Sequence, residues 1–451
     1  MESIQKPAVY RYFVLVTIVV FLLVSLSGCG KGKDGVKTAR TYQEEISIES
    51  EFISSEAESR LRAYESSESN DAVQDTGFEG KSDSTDCESV TAQEGMSAEK
   101  IREDQAELER ILSSMSLEEK VGQMFIVPPE SLVKGSSVTK IDNSFRQSYE
   151  RYPVGGINLS ANNLQNKSQA KKMITELQKC FQEKYGLKGF VTVTEEGGSV
   201  IRVKRSRFQV PDIGNMSEIG ADGDIEKARE AGETVGTYLH ELGFNVDFAP
   251  VADVLTNSRN TVVKYRSFGS DPHLVSDMCA AFAEGLEKKG VIAVYKHFPG
   301  HGGTAADTHQ GYAYVDSSLQ DLKDTDLIPF QDGIANGISW IMVAHISLPN
   351  ITGDDTPASL SKTIITDLLR KEMSFDGIVL TDGMTMDAIT DNYNSGPAAV
   401  KAILAGTDII LAPDNFTNAY KAVLEAVRTG KITERRIDES VTRILRAKLN
   451  L

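Results

Sequence analysis

Eight short apolar runs, alternating with longer amphipathic stretches, predict an α/β protein whose parallel sheet closes into a (β/α)8, TIM-type barrel. The runs are Val121 to Val127, Gly156 to Leu159, Phe190 to Thr194, Asn245 to Ala249, Val291 to Tyr295, Trp340 to Ala344, Gly377 to Thr381 and Asp408 to Leu411. Between them lie Ser168 to Tyr185, Ile225 to Leu242, Pro272 to Lys289, Leu319 to Asn336, Ser361 to Met373 and Pro397 to Ala405, all with apolar residues at helical spacing. Continuous apolar strands are strands buried on both faces, and helical crossovers between them make neighbours parallel. An open doubly wound sheet is the alternative, because Val121 to Val127 also continues the helical pattern ahead of it. No Gly-x-Gly-x-x-Gly follows the first run, which removes the dinucleotide-binding reading.

From the start of the chain, Lys6 and Arg11 precede the apolar run Phe13 to Val24, and Leu26-Ser27-Gly28-Cys29 follows at once. This resembles a bacterial lipoprotein signal with its lipobox. The resemblance implies that residues 1–28 are removed, that the Cys29 thiol carries lipid, and that the rest is held at the cell membrane outside the cytoplasm. An uncleaved anchor is the alternative, although the run is short for a spanning helix. Residues 29–100 are rich in Ser, Glu, Asp and Gly and poor in large apolar residues, so they are expected to form a disordered acidic tether. Folding is expected over 101–451, as one catalytic domain. It begins with the helical spacing of Gln105-Ala-Glu-Leu-Glu-Arg-Ile-Leu and with Ser116-Leu-Glu-Glu119, a capping box ahead of an apolar stretch.

A formal net charge of -17 excludes nucleic acid as a partner, since a phosphate backbone is repelled rather than steered inward. Cys29, Cys87, Cys180 and Cys279 are far apart, with neither a Cys-x-x-Cys pair nor zinc-ligand spacing. His297 and His301 stand four apart, but Pro299 and Gly300 between them forbid the helix a metal pair would need. No metal and no cofactor are expected, and the chain is read as a monomer.

In a parallel barrel the side chains just beyond each strand converge on one face. Those residues are Glu195-Glu196-Gly-Gly-Ser-Val-Ile-Arg202, Pro250-Val-Ala-Asp253, Lys296-His297-Phe-Pro-Gly-His301-Gly, His345 and Asp382-Gly-Met. Together with Asp307-Thr-His309 and Tyr265-Arg266-Ser-Phe-Gly-Ser-Asp-Pro, they resemble glycoside hydrolase family 3, in its single-domain β-N-acetylglucosaminidase branch. The resemblance runs from about Ser116 to the C-terminal end.

That resemblance implies a carbohydrate substrate, a glycan ending in β-linked N-acetylglucosamine such as a peptidoglycan fragment. It implies Asp382 as nucleophile, His309 on a small-residue loop as acid and base, and Asp307 as the group that orients and charges the imidazole. Arg202, Arg266, Lys296 and His297 match ligands of the sugar hydroxyls and N-acetyl group. Asp253 reads as a structural carboxylate and His301 as a loop organiser. Two positions depart from the family's pattern. Thr194 stands where an aspartate commonly accepts from a sugar hydroxyl, a contact that Glu195 or Glu196 is expected to replace, and Ser199 stands where an arginine is usual. A β-glucosidase or phosphorylase of the same family is the alternative enzyme. The larger members add a second α/β domain with a glutamate acid, whereas this sequence runs to Leu451 just past the last helical pattern. From another class, a non-catalytic sugar-binding lipoprotein is the alternative, and it has no use for both Asp382 and the Asp307–His309 pair.

Overall fold

A computed structural model describes residues 100–451 except 101, 134, 136, 206–207, 305–310 and 312. The expected signal segment, Cys29 and the tether up to residue 99 therefore lie outside the described residues, as do Asp307 and His309.

Eight strands alternate with helices in the expected order. They are β1 (Phe125–Val127), β2 (Gly156–Asn158), β3 (Phe190–Val193), β4 (Val246–Asp247), β5 in two pieces (Ile292–Ala293 and Tyr295–Phe298), β6 (Trp340–Val343), β7 (Ile378–Thr381) and β8 (Ile410–Leu411). Every pairing among them is parallel. β1 lies between β8 and β2, with Phe125 opposite Ile410 and Ile126 opposite Gly156. From there the order continues through β3, β4 and the first piece of β5. The second piece of β5 pairs with β6, and β6 with β7. A Leu380–Ile409 bridge then joins β7 to the start of β8.

The sheet is curled. In a flat sheet, β3 and β6 would stand roughly 14 Å apart, three strand spacings. Yet the rings of Phe190 on β3 and Trp340 on β6 meet edge to face with centroids 4.8 Å apart, both fully buried. Interior space is thus filled by side chains rather than left as a channel.

Local signals explain most boundaries. Ser116 Oγ accepts from the Glu119 amide at 3.2 Å while Glu119 Oε2 accepts from the Ser116 amide at 2.9 Å, so the helix Leu117–Gln123 starts where the capping box predicts. That helix runs on to Gln123, so the first apolar run divides and only Phe125–Val127 is strand. Leu319 to Asn336 divides too, into Leu319–Asp324 and Ile328–Ala335, because Pro329 suits the first turn of a helix and not its interior. Thr363–Glu372 winds as a π-helix. Helices Ile225–Leu242 and Pro272–Glu287 touch backbone to backbone: a Cβ on Gly232 would lie 2.1 Å from the Phe282 carbonyl oxygen. Cys180 and Cys279 are buried free thiols on helices.

At the N-terminal end of the sheet, the last helix (Glu434–Leu449) inserts Lys448, which is 4% exposed. Its Nζ donates to Gln123 Oε1 at 2.6 Å and lies 5.0 Å from the centre of the Phe190 ring and 5.8 Å from that of Phe181. Burial pushes this amine down to about 7. An unfolded chain keeps that proton up to about pH 10.4, so stability rises with pH between about 7 and 10.4 and carries the full penalty below about 7. Lys448→Met should remove that slope and add roughly 1–3 kcal/mol at neutral pH, a gain limited by the lost cation–π contacts and by the unpaired Gln123 oxygen. Urea unfolding of both proteins across pH 6–10 measures it.

Candidate active site

The C-terminal ends of the parallel strands deliver polar side chains to one face. Thr194 follows β3 and leads into a hairpin, Glu195–Gly197 against Val200–Ile201, which the sequence suggests only as a polar loop. Asp253 follows β4, Lys296 and His297 stand in the second piece of β5, His345 follows β6, and Asp382 is the residue after β7.

At the centre is Glu196, 2% exposed. Arg266 grips it with both prongs, Nε to Oε2 at 2.6 Å and Nη2 to Oε1 at 2.7 Å, and Lys296 Nζ pairs with Oε1 as well. Burial alone would raise the carboxyl, but the two cations outweigh it and hold Glu196 far below the usual carboxylate range. Burial pushes the Lys296 amine below the ordinary lysine value, against the pull of Glu196 and with the repulsion of Arg266.

Arg266 Nη2 also lies 3.4 Å from His297 Nε2, which in turn is 4.0 Å from Asp382 Oδ2. The other ring nitrogen, Nδ1, is 2.7 Å from Asp253 Oδ2. A carboxylate accepts, so Nδ1 carries the hydrogen and Nε2 faces the site. Asp253 Oδ1 accepts from the backbone amides of His297 at 3.1 Å and His301 at 2.7 Å. Against the opposing effect of burial, His297 and these bonds hold Asp253 at about 2. Its stabilisation is complete above about pH 4 and is lost as pH falls toward 2. Burial drives His301 down to about 4, so it is a neutral ring within the turn, with Nδ1 3.1 Å from Thr304 Oγ1.

Asp382 keeps a side chain 14% exposed. Its Oδ1 accepts from the Gly383 amide at 2.7 Å, and its own amide donates to Val343 on β6. Burial favours the neutral acid, yet His297, His345, the Gly383 amide and Lys296 together hold the group below its ordinary value. His345 is fully buried, with Nε2 3.1 Å from the Gly383 carbonyl and Nδ1 2.7 Å from Ser359 Oγ. Since a carbonyl only accepts, Nε2 carries the hydrogen, and burial lowers the ring's affinity for a second proton against the pull of Asp382. The pair braces the turn behind Asp382.

The structure therefore joins Glu196, Arg266, Lys296, His297 and Asp382 in one chain of contacts. Arg202 is half-buried at the start of the short helix Arg202–Arg205, its amide held by Glu195 Oε2 at 2.5 Å. Glu195 does not face the site as a substitute for an aspartate at Thr194. Its Oε2 accepts from the Arg202 and Val203 amides and its Oε1 from Tyr238, so it belongs to the hairpin's foundations. Glu196 binds cations of the protein itself. Half-buried Thr194 lies just before the hairpin and exposed Ser199 at its tip. Asn260 has no signal in its polar run. Its Oδ1 accepts from the Val262 and Val263 amides, and its Nδ2 donates to the His301 carbonyl and Thr304 Oγ1, binding the loop that carries Arg266 to the turn after β5.

Among known proteins, the family model described as "Glycosyl hydrolase family 3 N terminal domain" matches residues 116–447. "Beta-hexosaminidase A" of Pseudoalteromonas piscicida is 35% identical over 341 residues, which are 70% of this chain but only 56% of that protein. "Beta-hexosaminidase LpqI" of Mycobacterium tuberculosis is 36% identical over 269 residues, 57% of this chain and 67% of that one. A solved glycoside hydrolase family 3 β-N-acetylglucosaminidase from Paenibacillus sp. superposes with a TM-score of 0.70 at 36% identity, over 75% of this chain and 63% of that chain.

Glu196→Gln should strand two buried cations side by side and cost about 3–5 kcal/mol in denaturant unfolding. Adding Lys296→Met should return part of that loss, and the double-mutant cycle gives the coupling.

Proposed function

Because the chain belongs to glycosyl hydrolase family 3, we propose that it is a retaining exo-β-N-acetylhexosaminidase that removes terminal β-linked N-acetylglucosamine from glycans such as peptidoglycan fragments. The observation that carries this is Asp382, a strand-end carboxylate kept ionised among His297, His345 and Lys296 with one oxygen toward the site. We take the curled sheet as a closed (β/α)8 barrel forming one catalytic domain, 101–451, with its loops at the C-terminal face around the sugar.

In the first step Asp382 Oδ2 attacks the anomeric carbon, and the glycosidic C–O bond breaks as the leaving oxygen takes a proton from the His309 imidazolium. In the second, His309 removes a proton from water, the hydroxide adds to the anomeric carbon, and the Asp382 ester bond breaks with net retention. Asp307 orients the imidazole and favours its charged form, which suits a group that must give and then take a proton. Arg266, Lys296, His297 and Arg202 hold the sugar's hydroxyls and N-acetyl group. Fixed as they are by Glu196 and Asp253, the first three need little reorganisation when substrate arrives. Thr194 and Ser199, where a carboxylate and an arginine are usual, alter the outer contacts and tune which sugar fits.

The N-terminal pattern supports a lipid anchor at Cys29, with residues 29–100 as an acidic tether holding a monomeric enzyme outside the cytoplasm. No cofactor is invoked.

Asp382→Asn should lower kcat on an aryl N-acetyl-β-glucosaminide by at least about 10³-fold. His309→Ala should lose most of its turnover with poor leaving groups, keep more with a dinitrophenyl one, and regain rate with azide, yielding the β-glycosyl azide. Wild-type protein that hydrolyses no aryl β-glycoside would remove the proposal. In a bacterial host, Cys29→Ser should move the protein from the membrane fraction to the soluble one, as read by fractionation and immunoblot.

A further inference from the structure

The loop 257–267 is held to the site at two points and leaves one aromatic ring in solvent. Arg266 ties it to Glu196 and His297, while Asn260 ties it to His301 and Thr304, immediately ahead of 305–310. Between these anchors Arg266 turns inward and its neighbour Tyr265 outward, 57% exposed, with Lys264 Nζ 5.7 Å from the ring centre. One exposed ring is ordinary on a protein surface, and its location is what distinguishes this one. Among the described residues the exposed large aromatics are Tyr265 and Tyr314, and Tyr314 lies just beyond 305–310 on the strand paired with Ile346–Ser347. Both belong to segments that border the polar face of the sheet.

We propose that Tyr265 is a specificity-determining residue that stacks on the ring of the leaving-group sugar, resting on the glycosidase reading above. A pyranose offers one face of polarised C–H bonds, which match the negative face of an aromatic ring. An exo-acting site buries the terminal sugar against Asp382, so the leaving group must emerge past the rim, where this loop lies. Backbone hydrogen bonds hold the peptide unit that joins Tyr265 to Arg266. Its carbonyl accepts from the Ser217 amide at 3.4 Å, and the Arg266 amide donates to the Val263 carbonyl at 2.9 Å. The ring is therefore presented from a fixed loop, and little order is lost on binding.

Two substrates separate this role from chemistry at the terminal sugar. N-acetyl-β-glucosaminyl fluoride has a leaving group with no ring, whereas the β-1,4-linked N-acetylglucosamine disaccharide has a full pyranose there. Tyr265→Ala should lower kcat/KM on the disaccharide about 10-fold and leave the fluoride within about 2-fold, while Tyr265→Phe and Tyr265→Trp stay near wild type on both. Equal losses on the two substrates, or no loss on the disaccharide, overturn the assignment. Wild-type protein that turns over neither substrate overturns the glycosidase reading, and this inference with it.

Discussion

A carboxylate that water scarcely reaches, holding two cations, is the interaction on which the rest of the site depends. Burying an ion costs several kcal/mol, and only close, well-directed partners offset it. Glu196 meets that condition with a two-pronged arginine and a lysine drawn from separate segments. Without Glu196 the two cations become buried charges with no counterion between them, and without either cation the carboxylate keeps a single partner. The hairpin after β3, the loop before Arg266 and the second piece of β5 are thus mutually fixed, although none is held by a long run of regular hydrogen bonds. His297 gains its position from the same arrangement, with Asp253 behind it and Arg266 beside it.

Against burial, His297, His345, the Gly383 amide and Lys296 set the state of Asp382. In an apolar pocket this aspartate would take up a proton and lose its nucleophilic lone pair. Here positive groups and the Gly383 amide outweigh burial, so the carboxylate survives in a place where water does not screen it. Reactivity at the strand end therefore rests on Glu196 indirectly. It keeps Lys296 and Arg266 in place, and those cations offset the cost of a second buried anion nearby.

The opposite end of the sheet shows a different use of charge. Asp408, just before β8, is fully buried and pairs with Arg370, with Arg443 Nη1 3.4 Å and Arg436 Nη2 3.8 Å away, while Ser440 Oγ donates to it at 2.6 Å. Together with Lys448 against Phe190, these contacts join the last helix to the starts of the strands and close the interior from below. The groups fit for chemistry gather at the opposite face, a placement that parallel α/β sheets impose because all strands point the same way.

What the sequence determined by itself is what depends on neighbours along the chain. The order of the eight strands follows from apolar runs, the start of Leu117–Gln123 from Ser116 and Glu119, and the nature of the site from polar residues placed just beyond strands. The end of the first helix, the break before Pro329 and the hairpin at Glu195 were less legible, because short segments suit more than one conformation until packing selects one. Tertiary structure alone decided that Glu195 turns into the fold while Glu196 faces the cations, since adjacent carboxylates in a sequence carry no mark of which partner each will meet. It also decided that Asn260 would bind the turn at His301, a contact across 41 positions of chain that no local pattern encodes. Hydrogen bonds and ion pairs of that range form only where the curled sheet brings strand ends together, and their energies depend on how much water the assembled fold leaves behind.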